Sequence, residues 1–243
     1  MKRIMECILC SILIGTILFG IYQVTRMSSG YVIAENEYKA LQDNVQVNLG
    51  EHEKLPYDIH WETLYETNPN IVAWIKIEGT EVNYPIVQGD NNQYYLTHTV
   101  AETENKCGSI FLDYENTSDL SDKNTIVYGH NMKNGSMFRT ITKYEKAEFF
   151  QEHPSVWILT PSYQIEYTLL SAHFTPLRGS TYDLHFENDS EFNNFLLKEK
   201  NNSIYDTNIP INNVKQTVIL STCKGSKNVN RFVVCLVPKN IYS

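Results

Sequence analysis

The hydrophobic pattern changes character twice along the chain. Residues 4–24 form one apolar run, Ile4-Met5-Glu6-Cys7-Ile8-Leu9-Cys10 through Phe19-Gly20-Ile21-Tyr22-Gln23-Val24. Roughly 20 residues rising ~1.5 Å each cross the ~30 Å hydrocarbon layer of a bilayer, so the run predicts a membrane-spanning helix. Lys2 and Arg3 precede it, and the positive-inside bias places residues 1–3 in the cytoplasm and the remainder outside the cell. A cleaved signal peptide competes with this reading, but its apolar region would be shorter and Ser28-Ser29-Gly30 is a weak cleavage match. A lipid anchor on Cys10 is disfavoured, because Cys7-Ile8-Leu9 lacks the small residue expected just before a lipidated cysteine. Residues 25–57 are polar and charged and read as an extracellular stalk, helical around residues 35–47. The folded domain is expected over residues 58–243.

Within that domain the period shortens. Apolar and polar residues alternate, or apolar β-formers cluster, at 71–77, 81–87, 109–113, 125–129, 155–160, 164–172, 217–222 and 231–237. Helical spacing is confined to residues 60–65, 91–98, 136–150 and 190–200, the last with an acidic first turn. About eight strands with helices inserted between them, and no βα alternation, predict an α+β, mainly β domain: a closed or nearly closed barrel.

Composition narrows the partners. Hydrophobic residues make up 42% of the chain and tyrosines number sixteen, enough for a sizeable core. The net charge of -8, with no Lys/Arg cluster, argues against nucleic acid. Cys7 and Cys10 fall in the apolar run. Cys107, Cys223 and Cys235 fall in the exported part, and this odd number leaves at least one thiol free unless chains pair. A Cys107–Cys235 bridge competes with two unpaired buried thiols, and the second reading is preferred.

Three residues at strand ends carry candidate chemistry. Cys223 closes Val218-Ile219-Leu220-Ser221-Thr222-Cys223 and precedes a polar loop, Lys224-Gly225-Ser226. His130 follows Thr125-Ile126-Val127-Tyr128-Gly129, and Arg231 opens Arg231-Phe232-Val233-Val234. A thiol to attack a carbonyl, an imidazole to move protons and a guanidinium to stabilise negative charge are the parts of an acyl-transfer site. Read singly, each has an ordinary structural role: a small buried apolar residue, a polar strand cap, a surface charge. Cys235, inside Val233-Val234-Cys235-Leu236-Val237, reads as core. Of the neighbours Ser221 and Thr222, strand alternation aims one at the cleft and one at the core. No metal-ligand spacing stands out, and neither a metal nor another cofactor is expected.

Together these residues resemble the sortases, cysteine transpeptidases of Gram-positive cell surfaces. The resemblance lies in Leu220-Ser221-Thr222-Cys223 followed by Arg231, with Tyr128-Gly129-His130-Asn131 upstream. The family's usual Thr-Leu-x-Thr-Cys has Ile219 in place of its first Thr. Asn68-Pro69-Asn70-Ile71-Val72-Ala73-Trp74-Ile75, Asn83-Tyr84-Pro85-Ile86-Val87-Gln88 and Gly108-Ser109-Ile110-Phe111-Leu112-Asp113-Tyr114 extend it over nearly the whole exported part. The Tyr-Gly-His-Asn-Met string and the helix near residues 190–200 are most similar to class B sortases.

The resemblance implies a sortase-like β-barrel and a catalytic set of Cys223, His130 and Arg231. Cys223 would cleave a C-terminal sorting motif after Thr through a thioester. A peptidoglycan cross-bridge amine would then accept the surface protein. It also implies substrate contacts at Asn92, Leu96, Tyr182, Ser221 and Thr222, with class B motifs such as Asn-Pro-Gln-Thr-Asn. The alternatives are a pilin-polymerising sortase and a catalytically silent surface-binding module. Papain-like proteases and L,D-transpeptidases are disfavoured, since neither Cys-Gly-x-Cys-Trp nor Ser-His-Gly-Cys occurs.

Overall fold

A single helix, α1 (Lys2–Gln42), leads the chain in the computed structural model, which describes residues 2–47, 55–223 and 230–243. The two halves of α1 have different surroundings. In the first, Ile4, Leu9, Leu13 and Phe19 are all more than half exposed among the described residues. In the second, Ala34, Tyr38 and Leu41 recur at helical spacing and are buried on the barrel. The Tyr38 hydroxyl donates to Gly108 O at 2.7 Å, its ring meets Tyr84 edge-on at 5.3 Å, and Gln42 Nε2 donates to Asn83 O at 2.8 Å. Ala101 N donates to Glu37 Oε1 at 2.8 Å. The segment read as a stalk is thus helical as far as Gln42, and the last turns of that helix pack as part of the barrel's wall. The helix stops at Gln42, short of the expected 47. Val45-Gln46-Val47 instead forms β1 (Val45–Val47), which suits its β-branched residues, and pairs antiparallel with β2 (Tyr57–Ile59).

After the short α2 (Trp61–Thr67), ended at Asn68, come β3 (Ile71–Lys76), β4 (Asn83–Val87), β5 (Ile110–Leu112) and β6 (Asn124–Gly129). Then follow α3 (Ala147–Glu152), β7 (Ser155–Leu159), β8 (Gln164–Pro176), α4 (Asp189–Asn202), β9 (Thr217–Cys223) and β10 (Asn230–Tyr242). Strands β3 to β10 close into a barrel of order β10-β8-β7-β3-β4-β5-β6-β9. Its β4–β5 and β6–β9 pairs are parallel and the others antiparallel. Each expected strand is present. Two helix expectations are corrected. Residues 91–98 hold only a 3-10 turn, Tyr94–Leu96, because the Asn91 side chain accepts from the backbone N–H of Gln93 and Tyr94 and makes a tight turn. Residues 136–150 split into a 3-10 turn, Thr140–Glu145, and α3, separated by Lys146 in an extended conformation.

The apolar side chains divide into two cores. One fills the barrel around Trp74, Ile75, Phe138, Tyr167 and Phe232. The other lies outside it, where Phe192, Phe195 and Leu196 of α4 cover Ile126, Ile219, Val233 and Cys235. Asn188 caps α4 by accepting from Glu191 N at 3.0 Å, and Asp189 and Glu191 complement its N-terminal dipole. Removing the Tyr38 hydroxyl by Tyr38→Phe should cost about 1 kcal/mol. Tyr38→Ala, which also empties the ring's site, should cost about 3–5 kcal/mol. Urea unfolding of a fragment beginning at residue 28 measures both; equal stability for all three proteins would mean that α1 does not dock.

Candidate active site at the ends of β6 and β9

Parallel pairing of β6 with β9 runs from Asn124 opposite Thr217 to Gly129 opposite Thr222. It brings the residue after β6, His130, to the same barrel end as the last residue of β9, Cys223. The buried Thr222 hydroxyl fastens that end by donating to Gly129 O at 2.7 Å. Antiparallel β10 then places Arg231 in register with Cys223, and β8 places Thr175 in register with Arg231. Four neighbouring strands therefore deliver residues 130, 223, 231 and 175 to one edge. Lys224-Gly225-Ser226, the loop singled out in the sequence, lies outside the described residues.

His130 is half-buried, with Nε2 2.7 Å from Leu96 O. A carbonyl only accepts, so Nε2 carries the proton; Nδ1 is then the nitrogen left for acid–base work. Gly129 beneath it has no room for a side chain, since an added Cβ would sit 2.5 Å from Ile110 Cδ1 and 2.7 Å from Phe138 Cδ2. Close approach is the reason for glycine at this position.

A polar wall continues from this edge. The Tyr182 hydroxyl lies 2.9 Å from Ser221 Oγ, and its ring stacks on Tyr128 with centroids 6.3 Å apart. The Tyr128 hydroxyl donates to Asp113 Oδ2 at 2.8 Å, an oxygen that also accepts from Asn92 Nδ2 at 2.9 Å. Burial raises the pKa of both phenols above the ordinary tyrosine value, so both stay protonated; the Arg231 charge pulls each the other way. The comparisons with known proteins bear on the fold as a whole. A family model described as the sortase domain matches residues 75–238.

The chain belongs to the sortase family. Sortase B of Listeria monocytogenes is 35% identical over 168 residues, which make up 69% of this chain and 68% of that protein. The solved structure of sortase B from Bacillus anthracis aligns with a TM-score of 0.75 at 30% identity, covering 87% of this chain and 99% of that one. A Staphylococcus aureus sortase B–substrate complex aligns with a TM-score of 0.74 at 30% identity, over 85% of this chain and 96% of that one. The chain is a cysteine transpeptidase of the class B sortase type, a family that acts on surface proteins.

Within this sortase, the residues named from sequence take up different kinds of position. Asn92 also accepts from Tyr114 N at 3.0 Å, and Leu96 packs its side chain on the barrel core while its carbonyl holds His130. Ser221 and Thr222 are both closed to solvent, Ser221 under Tyr182 and Thr222 against Gly129. Sequence reasoning missed Asp113 and the Leu96 carbonyl. Asp113 was visible inside Phe111-Leu112-Asp113-Tyr114 as a lone acid ending an apolar strand, whereas a backbone acceptor has no signature. Cys107 and Cys235 are buried free thiols; burial pushes Cys107 up to about 11 and Cys235 well above the ordinary value. Among the described residues, no three His, Cys, Asp or Glu side chains gather to hold a metal.

Gly129→Ala should cost about 1–3 kcal/mol by overpacking, read as a lowered urea midpoint. Thr222→Val should cost about 1–2 kcal/mol by leaving the buried Gly129 carbonyl unpaired. A Gly129→Ala protein as stable as wild type would show that the β6 end yields easily.

Proposed function

We propose that the protein is anchored in the cell membrane by residues 4–24, with residues 1–3 in the cytoplasm, residues 25–57 linking and residues 58–243 catalysing outside the cell. The exposed apolar half of α1 supports the anchor, since lipid is the solvent that such a surface fits. The observation that carries the catalytic reading is the register that sets Cys223 opposite Arg231, with His130 at the end of the parallel neighbour strand.

In this reading the Cys223 thiolate attacks the Thr carbonyl of a sorting motif and forms a C–S bond. The carbonyl electrons move to oxygen, where Arg231 donates to the developing charge. Collapse breaks the C–N bond, and His130 gives its proton to the leaving amine. The thioester holds the surface protein until a peptidoglycan cross-bridge amine attacks the same carbon. His130 takes the proton from that amine, and the Cys223 thiolate departs. Asn92, Leu96, Tyr182, Ser221 and Thr222 serve as the substrate-binding set, Tyr182 and Asn92 through their side chains along the wall, and Ser221 and Thr222, which are closed to solvent, by holding Tyr182 and Gly129 in place. No cofactor takes part in this scheme.

Incubation with a panel of quenched sorting-motif peptides, with and without an amine acceptor, tests the reading. Cleavage after Thr should occur, be diverted to a ligated product by amine, and vanish in Cys223→Ala. Arg231→Ala and His130→Ala should each lose about 10²-fold or more in kcat/KM. Iodoacetamide should label Cys223 and spare Cys107 and Cys235 in the folded protein. A folded protein that cleaves no peptide and whose Cys223 resists alkylation would overturn the catalytic reading and leave a binding module.

A further inference from the structure

Beneath the Tyr182 wall lies a buried polar cluster that the chemistry above does not use. Glu199 of α4 is fully buried, yet it is a carboxylate on a helix face otherwise made of Phe192, Phe195 and Leu196. One of its oxygens lies 2.8 Å from His173 Nε2 on β8, and the other accepts from the Thr181 hydroxyl at 2.9 Å. Thr181 Oγ1 also lies 3.3 Å from Thr175 Oγ1, and Thr175 is in register with Arg231. Strand β8, helix α4 and the 3-10 turn Ser180–Tyr182 therefore meet on one carboxylate. A buried acid is costly unless it is paired, and packing alone would have been met by another apolar residue. What the cluster holds is the turn, and the next residue in that turn is Tyr182, whose hydroxyl reaches Ser221 two positions before Cys223.

A second attachment separates placement from folding. Asn124 Nδ2 donates to Thr181 O at 3.0 Å and to Asp183 O at 2.9 Å. The turn's backbone is thus tied to β6 without the hydroxyl, and the carboxylate adds a side-chain tie that fixes how the turn is pitched.

We propose that Glu199 and His173 are positioning residues for substrate recognition: through Thr181 they set the Tyr182 ring over Ser221 and so shape the wall that a bound peptide meets beside residue 223. The proposal rests on the transpeptidase reading above. It assigns the pair an effect on binding, with little on bond breaking, because the hydrogen bonds of the two side chains run to each other, to Thr181 and to Phe174 O.

The test uses the full-length protein in detergent and a fluorescent peptide containing Asn-Pro-Gln-Thr-Asn, or the panel peptide that wild type cleaves best. Thr181→Val keeps the side chain's shape and removes its hydroxyl. It should raise KM, and Kd in a Cys223→Ala background, about five- to tenfold, the weight of one hydrogen bond, with kcat within about twofold. Glu199→Ala should do the same, and the double variant should be no worse than either, since both cut one chain of contacts. Thr181→Ser and Glu199→Gln, which keep a bonding group in place, should bind close to wild type. If Glu199→Ala does not fold, the valine–serine pair at 181 decides alone. A folded Thr181→Val with wild-type KM, or with lowered kcat and unchanged KM, overturns the proposal while wild-type cleavage leaves the transpeptidase reading intact. Absence of cleavage by wild type removes both.

Discussion

The parallel contact between β6 and β9 is the constraint on which the rest of the site depends. These strands lie far apart in the sequence, and Thr222 bonds to Gly129 across 93 residues. A parallel pair needs a long crossover, here made of α3, β7, β8 and α4. Its reward is that two strand ends, and not an end and a beginning, arrive at the same edge. An antiparallel partner in place of β6 would have put His130 at the far end of the barrel. The hydroxyl of Thr222 and the missing side chain of Gly129 serve that one junction: one supplies the bond, the other lets the chains approach.

Closure of the barrel gives this junction a stiff frame. With β10 paired to both β8 and β9, the described strands leave no open edge at the site, and the register of Arg231 is set from two sides. The outer core under α4 extends the frame sideways. It seals the outward faces of β6, β9 and β10, so the site's supporting rows are buried on both faces. The cluster at Glu199 is a polar exception within that apolar cover, and it sits where the cover gives way to the wall of the cleft.

The strands were legible because β-branched and aromatic residues alternate or cluster in them, and eight of them suffice to suggest closure. The extra length of β8, to Pro176 where residue 172 was expected, was hidden because His173-Phe174-Thr175-Pro176 lacks a clean alternation; it is extended because β10 pairs with it throughout. The docking of α1 was hidden for a similar reason. Ala34, Tyr38 and Leu41 are too sparse to mark a buried face in a segment rich in Glu and Lys, and only the barrel's complementary surface reveals it. Residues 130, 223 and 231 could be picked out by side-chain chemistry at strand ends. The groups that hold their surroundings could not: Leu96 acts through a carbonyl, and Glu199 reads in sequence as one more solvated acid on a helix.

The order of strands along the chain also has a temporal meaning. Of the four strands that build the active edge, β6 emerges first from synthesis or export, β8 next, and β9 and β10 last. The junction of β6 with β9 cannot form until the crossover has been traversed, and contacts between such remote segments form slowly. Until β10 is in place, the thiol at 223 has no register partner at 231 and the barrel wall is open. The edge that holds residues 130, 223 and 231 is therefore the last part of the barrel to be assembled, timed by the arrival of the final strand.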